Sequence, residues 1–494
     1  MIFLEVNFLL FLLLKASELY YVVFIIATAL NAVILVAIVN ADVNPEYKVS
    51  WISVVMLLPF FGALLFVIFY KRRMTRKEIK IGREILEKLN TGGRKCDEFA
   101  LLGSRDSRAA GQAMAIMNDD PSAEVYTRTE AVYFADGEEM YRSMLADMSS
   151  AEKFIFLEYF IIKDGEMWQG IHSVLKRKVE CGVEVRILYD DIGCMSSVQR
   201  RSLRALSEEG IKCYPFARVN PSLSTVHNNR DHRKICVVDG TVAYTGGINI
   251  ADEYINKEER FGHWKDGGVR LYGDAARGFV KLYLQNWSFN KRECEDFFHY
   301  IDAEEHNTGS DDEFFVPFGS GPSPIYRRSV GKAVFLNIIN QSERYVYITT
   351  PYLIIDFDLT EALRGAALRG VDVRIITPAV ADKKLVKILT KSAYPYLIEA
   401  GVKIYEYTPG FIHEKLVVAD DKYTVIGSIN LDYRSLAHHF ECAVWIYSGV
   451  MAVEARDGFM NTAAKSELMN ESAARLRPSE RIVKSLVKFI APLL

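Results

Sequence analysis

The sequence predicts an α/β fold built twice within one chain, preceded by two membrane-spanning helices. Three observations predict it. A set of polar residues recurs at identical offsets 181 residues apart, strand–helix–strand patterning surrounds each copy, and two long uncharged runs are confined to the N-terminal seventy residues.

The uncharged runs are Leu19–Val39, 21 residues, and Trp51–Tyr70, 20 residues. At about 1.5 Å per residue each reaches roughly 30 Å, the thickness of a bilayer hydrocarbon core. A short, slightly acidic loop, 40–50, joins them, and Lys71-Arg72-Arg73-Met74-Thr75-Arg76-Lys77 follows. Clustered Lys and Arg stay on the cytoplasmic side. The expectation is a multi-pass anchor over residues 1–70, with the N-terminus and the large body in the cytoplasm. Met1–Leu14, apolar but interrupted by Glu5 and Asn7, reads as an interfacial lead-in.

Of 60 basic and 63 acidic residues, only Lys15, Lys48, Glu5, Glu18, Asp42 and Glu46 precede residue 71, so the body is close to neutral. That argues against a protein whose main affinity is for nucleic acid. The seven cysteines are odd in number and form no C-x-x-C pair, which points to buried, reduced thiols rather than disulfides or a thiolate zinc site.

Residues 71–124 read as a polar connector, helical near Ile79–Leu89. The body then divides. Apolar run Phe154–Ile162, helix-like Glu166–Cys181 and β-branched Gly182–Ile187 are matched by Tyr345–Ile355, Leu359–Arg369 and Gly370–Ile375. Gly210–Tyr214 echoes Gly401–Tyr405. Glu304–Pro324, rich in acids, Gly, Ser and Pro, reads as a linker between domains at 125–303 and 325–494. At the C-terminus Ile482, Val483, Leu486, Val487 and Ile490 recur at helical spacing among Arg481, Lys484 and Lys488. A closing helix of the last domain is preferred there over a basic helix lying on a membrane.

The strongest repeat carries the chemistry. His232, Lys234, Asp239, Gly246 and Asn249 are matched in type and offset by His413, Lys415, Asp420, Gly427 and Asn430. His and Lys two apart on a strand share a face, so an imidazole and an ammonium approach one ligand together. Asp239-Gly240 reads as the bend of a hairpin joining Lys234–Val238 to Thr241–Thr245. Gly247, with Ser428 in its place in the second copy, allows close approach to a bulky anion, and Asn249 and Asn430 offer amide donors. Asp239 and Asp420 read either as site residues or as turn residues, and Asn249 either as a phosphate donor or as a helix N-cap. Two such sets facing each other suit phosphodiester exchange without a metal. One His attacks phosphorus, the other moves protons, and the lysines and asparagines stabilise charge at phosphorus. Asp266 and Glu441 are candidates to fix the histidine tautomers. The remaining histidines, His439 among them, have no repeated context and read as surface or packing residues. No H-E-x-x-H and no phosphate-binding G-x-x-x-x-G-K-[ST] is present.

H-x-K-x4-D occurring twice, each followed by Gly-Gly/Ser-x-Asn, resembles the phospholipase D superfamily. The two uncharged runs, Trp264-x-Asp266, Gly427–Ser435 and the ending Ala491-Pro492-Leu493-Leu494 look like a bacterial cardiolipin synthase. The resemblance implies two α/β halves related by pseudo-twofold symmetry around one active site. It also implies a histidine that becomes phosphatidylated, assigned by analogy to His232, with His413 as acid and base. The implied reaction transfers a phosphatidyl group from one phosphatidylglycerol to another at the bacterial inner membrane, releasing glycerol without a nucleotide, metal or other cofactor. Competing readings are a phospholipase D or other transphosphatidylase with a different head group or water, a membrane-tethered nuclease, and a catalytically dead scaffold.

Overall fold

β-Branched and aromatic runs bounded by turn residues form the strands. Both faces of the central strands are covered, which is why they read as continuous apolar runs rather than alternating ones. The computed structural model describes residues 19–41, 43–58, 61–69, 76–91, 96–195, 197–217, 229–301, 308–322, 325–326, 328–474 and 477–490. Met1–Leu14, most of the basic cluster and the last four residues lie outside them.

Residues 75–219 and 229–480 make one compact unit. Its first half holds β1 (Thr129–Phe134), β2 (Phe154–Tyr159), β3 (Glu184–Asp190), β4 (Lys212–Phe216), β5 (Lys234–Val238), β6 (Val242–Gly246), β7 (His263–Lys265) and β8 (Gly268–Gly273). Seven of these form a sheet in the order β1-β8-β6-β5-β2-β3-β4. Strands β2, β3 and β4 are parallel; the other neighbours are antiparallel. The second half holds β9 (Phe314–Ser320), β10 (Tyr345–Thr349), β11 (Leu353–Ile354), β12 (Asp372–Pro378), β13 (Lys403–Tyr407), β14 (Gly410–Ile412), β15 (Leu416–Ala419), β16 (Tyr423–Gly427), β17 (Leu431–Asp432), β18 (Glu441–Tyr447) and β19 (Ser466–Leu468). Its eight-stranded sheet runs β9-β18-β16-β15-β10-β12-β13-β19. That is the order of the first sheet, strand for strand, with β19 added at one end. The duplication therefore extends from the motifs to the whole topology.

Parallel neighbours need crossovers. Glu166–Glu180 supplies one between β2 and β3, and Phe357–Leu368 supplies the matching one between β10 and β12. Helix Ala276–Lys291 is buried from Ala276 to Phe289 and packs against β5 of the first sheet and β9 of the second. Its buried polar side chains are paired, Lys281 with Glu124 at 2.6 Å, Gln285 with Arg233 at 2.9 Å and Asn286 with Glu158 at 2.8 Å, and the helix joins the two halves. Strand β9 lies within 304–324, so part of the stretch expected to be a linker is instead a fully buried strand of the second sheet. Its run of Phe314, Phe315, Val316 and Phe318 outweighs the Gly and Pro that suggested a loop. The six cysteines with described side chains are all free; Cys194, Cys236 and Cys442 are buried as expected, whereas Cys181 is exposed and Cys213 and Cys294 are half-buried.

Asp239 and Asp420 occupy turns with φ of 54° and 57°. The Asp239 carboxylate accepts the backbone N–H groups of Glu152, Lys153 and Phe154 at 2.7, 2.8 and 2.8 Å. Asp420 does the same for Glu343, Arg344 and Tyr345 at 2.8, 2.8 and 2.9 Å. Each aspartate ties the end of one strand to the start of its neighbour. The structure thus places both in the scaffold, at the far end of the strand from the histidine, and corrects the expectation that they act on a substrate. Asp239→Ala and Asp420→Ala should each cost about 2–3 kcal/mol, from three unmet donors and a strained left-handed alanine. Urea unfolding would measure this, and the folded fraction should keep near-normal turnover. A hundredfold loss of turnover at unchanged stability would return them to the chemistry.

The other unit comprises residues 1–74, 220–228 and 481–494. Helix α1 (Leu19–Val39) is long and apolar enough to cross a membrane, and leaves Tyr21, Ile25, Val33 and Val36 more than 60 % exposed. The second expected span is not one helix. It is divided between α2 (Pro45–Leu57) and α3 (Gly62–Phe69), with Pro59 in the gap. Proline cannot donate the helical hydrogen bond and clashes with the preceding turn. At about 1.5 Å per residue, α2 and α3 reach roughly 20 and 12 Å, so neither spans alone. Gly62 lets them fold together, since a Cβ there would sit 2.5 Å from Val55 Cα. Ile34, Ile38, Trp51, Val55, Ala63 and Phe66 form this unit's core. The helix Pro478–Ile490 forms at the expected place, but residues from Arg481 onward group with this unit rather than closing the last domain.

Candidate active site

Each motif histidine lies just before the equivalent strand: His232 precedes β5, which Lys234 opens, and His413 and Lys415 both precede β15. The segment leading into each histidine pairs in parallel with the other half of the chain. Asp231 bridges Phe440, and Ile412 pairs with Lys265. The N–H of His232 donates to the Phe440 carbonyl and that of His413 to the Lys265 carbonyl, both at 2.8 Å. Phe440 and Lys265 each precede a carboxylate. The His232 Nδ1 donates to Glu441 (2.9 and 3.0 Å to its two oxygens) and His413 Nδ1 donates to Asp266 at 2.8 Å. The orienting carboxylate of each histidine thus comes from the opposite half, twice, by the same backbone construction. This is the pseudo-twofold relation at atomic scale.

A carboxylate only accepts, so each Nδ1 carries a proton and each Nε2 is left with its lone pair. Burial pushes His232 down to about 3 and His413 down to about 4, so both rings are neutral near pH 7. Burial pushes Glu441 and Asp266 upward, but the combined pull of His232 and His439 on Glu441, and of His413, Lys415 and the Gly267 N–H on Asp266, outweighs it and holds both below the usual carboxylate range. The ammonium groups return to the same places: Lys234 Nζ donates to the His232 carbonyl at 2.6 Å and Lys415 Nζ to the His413 carbonyl. Burial lowers Lys234 to about 8 and Lys415 to about 7. Lys234 acts electrostatically on Lys415 and on His413, and Glu441 acts on Lys415. The two sets form one electrostatic unit, with two cations that an anionic ligand would relieve.

The other expected phosphate ligands separate. Asn430 keeps its carboxamide oxygen buried without a hydrogen-bond partner; that oxygen only accepts, so the amide N–H is the group that donates to a phosphate. Asn249 is occupied: its oxygen accepts from Ile161 N at 3.1 Å and its amide donates to Tyr254 Oη at 2.6 Å. Nor does it cap the following turn, whose N-cap is Ala251. It holds Tyr254, whose ring lies 5.5 Å from that of His413. Ser428 Oγ donates to Glu441, so it buttresses the carboxylate rather than a ligand. Gly247 is required by packing, since a Cβ there would lie 2.1 Å from Asp266 Oδ1 and 2.7 Å from the His413 carbonyl. The Gly/Ser difference between the copies follows, because one carboxylate needs room and the other a hydroxyl.

Residues after and around the motifs complete the site, and sequence reasoning missed them. Arg233 is fully buried; its guanidinium donates to the Glu441 carbonyl (3.2 Å), to Leu282 O (2.7 Å), to Gln285 (2.9 Å) and to Tyr326 (2.7 Å). Its counterpart Glu414 accepts from Tyr133 Oη at 2.6 Å and pairs with Lys265 at 3.0 Å. Each therefore anchors the segment bearing the other half's carboxylate. Ser435 Oγ donates to Glu441 at 2.7 Å. His439, read as surface or packing, lies beside the His232–Glu441 pair. It was findable, since His439-x-Glu441 has the spacing of Trp264-x-Asp266. His232, His439 and Glu441 bring one donor atom each within 4.8 Å of one another. Glu441 is already committed to His232 Nδ1 and two serine hydroxyls, and Lys234 stands alongside, so this cluster is built as a hydrogen-bond network and not as a cation site.

Comparison with known proteins agrees with this geometry. Residues 144–260 and 335–462 match the family described as cardiolipin synthase, PLD-like domain, and residues 29–69 match the phospholipase D-nuclease N-terminal family. An uncharacterized protein of Streptococcus mutans is 40 % identical over 92 % of this chain and 98 % of its own. A cardiolipin synthase of Halalkalibacterium halodurans is 31 % identical over 99 % of both chains, and one of a Geobacillus strain is 31 % identical over 91 % of this chain and 89 % of its own. The fold is shared with a phosphatidylserine synthase of Haemophilus influenzae, at 16 % identity and TM-score 0.56, covering 78 % of this chain and all of that one. With two motif histidines, two crossed carboxylates and full-length relatives in agreement, the chain belongs to the cardiolipin synthases of the PLD-like family.

Proposed function

We propose that this membrane-associated phosphatidyltransferase makes cardiolipin from two phosphatidylglycerol molecules through a phosphatidyl-histidine intermediate. The observation that carries it is the pair of imidazole–carboxylate units, each assembled across the two halves, beside two buried ammonium groups.

The neutral Nε2 of His232 attacks phosphorus, forming a P–N bond as the P–O bond to glycerol breaks. His413, protonated once an anionic phosphodiester sits beside it, gives its proton to the departing glycerol oxygen. A second phosphatidylglycerol then enters. Its glycerol hydroxyl passes a proton to His413, its oxygen bonds phosphorus and the P–N bond breaks. Lys234, Lys415 and Asn430 stabilise the extra negative charge at phosphorus. One phosphodiester is exchanged for another, so no nucleotide is consumed. The basic residues directly after the apolar region support a cytoplasmic body, and a second membrane crossing would take α2 and α3 together.

The test is purified protein in phosphatidylglycerol vesicles. Cardiolipin and glycerol should appear in equal amounts, and omission of nucleotide should change nothing. Phosphatidic acid in place of cardiolipin would make water the acceptor. Release of neither product would remove the reading.

A further inference from the structure

Glu441 and Asp266 hold equivalent places in the two halves, and so do the residues two before them, His439 and Trp264. The equivalence is spatial: the His439 ring lies 5.6 Å from that of His232, and the Trp264 ring 5.6 Å from that of His413. One motif imidazole is thus flanked by an indole and the other by a second imidazole. The His439 side chain is largely buried, and neither ring nitrogen makes a hydrogen bond. Its Nδ1 lies 3.8 Å from Glu441 Oε1, the oxygen that accepts from His232 Nδ1 and Ser435 Oγ. One carboxylate therefore faces two imidazoles.

We propose that His439 is a positioning residue that controls when His232 can hold a phosphatidyl group. This rests on the reading of His232 as the nucleophile. When Nε2 bonds phosphorus, Nδ1–H stays on Glu441 and the ring takes up a positive charge. Glu441 balances that charge while His439 is neutral. A protonated His439 claims the same carboxylate and sets a second cation beside the first. The covalent intermediate is then disfavoured. Trp264 accepts no proton, so His413 has no such competitor. The other charged groups acting on the cluster are Asp432, which accepts from Ser435 N at 2.9 Å, Lys234, which donates to the His232 carbonyl, and Lys415, which interacts with Glu441. In the unloaded site burial keeps protonation of His232 and His413 down near about 3 and 4, while Lys415, lowered to about 7, and Lys234, lowered to about 8, titrate within the range in wild type and variants alike, so only a difference between scaled profiles reports on His439.

The experiment follows cardiolipin formation and labelling of the protein by radiolabelled phosphatidylglycerol, with full-length wild type, His439→Trp and His439→Asn in vesicles between about pH 5 and 8. Wild-type labelling and turnover should fall toward the acid end. Each variant should retain there at least about tenfold more of its own neutral-pH activity than wild type does. A residue that only packs would scale activity by one factor at every pH, so superposable scaled profiles would overturn the proposal. The asparagine variant carries the test if tryptophan disturbs folding, as judged by thermal unfolding. A wild type that yields neither labelled protein nor cardiolipin at neutral pH would instead remove the underlying assignment of function.

Discussion

Replacing His232 or His413 by alanine should lower cardiolipin formation by about 10⁴-fold or more, the scale on which a residue that makes or breaks bonds is missed. The two losses should differ in kind. Without His232 no P–N bond can form, so protein incubated with radiolabelled phosphatidylglycerol stays unlabelled. In His413→Gln the nucleophile and Glu441 are intact, but the proton donor and acceptor is gone. Attack then proceeds slowly and resolution more slowly still, so the label should remain on the protein at His232. Peptide mapping of the labelled protein reads the result. Label trapped in the His232 variant and absent from the His413 variant would exchange the two roles while keeping the chemistry. Unchanged turnover in both would end it. Both side chains are buried, so thermal unfolding of each variant checks that it remains folded.

The second large effect is expected at the carboxylates. Glu441→Gln and Asp266→Asn preserve shape but replace an acceptor by an amide able to donate toward Nδ1. That favours the tautomer with the proton on Nε2, which neither attacks phosphorus nor accepts a proton from an alcohol. A loss of about 10³- to 10⁴-fold is expected in each, the range for a wrongly held tautomer in a comparable triad. Glu441→Gln should abolish labelling of His232, although the two residues are 209 positions apart. Asp266→Asn should resemble the His413 variant and accumulate label. If instead Asp266→Asn abolished labelling and Glu441→Gln trapped it, the crossed pairing would be wrong. Ser428 and Ser435, which also donate to Glu441, give the graded control. Alanine at either should cost about tenfold, because one hydrogen bond to the carboxylate is lost while its charge remains.

Much of this site could be read from the chain alone, and the errors have physical causes. His and Lys recurred because each half supplies chemistry. Asp239 and Asp420 recurred because each half also has the same sheet, and the same sheet needs the same clamp at the same turn. Recurrence does not separate the two reasons; the backbone N–H groups around the aspartates do. Asn249 and Asn430 share an offset but not a role, since only the first half has Tyr254 to hold. The uncharged run after Trp51 has the length of a span and the composition of one, yet it is divided between Pro45–Leu57 and Gly62–Phe69. The stretch 304–324 was weighed by its Gly, Ser and acids, although seven of its residues form a strand between the halves.

What the sequence by itself determined is the duplication, the α/β class, the membrane-seeking N-terminus and the identity of the reactive side chains, because these are written in local periodicity and in repeated spacing. Only the tertiary structure decided which carboxylate serves which histidine, that Arg233 and Glu414 brace the opposite half, and that His439 shares Glu441. Those pairings join residues about 150 to 280 positions apart across a packed domain interface, and no local pattern encodes which surfaces meet there.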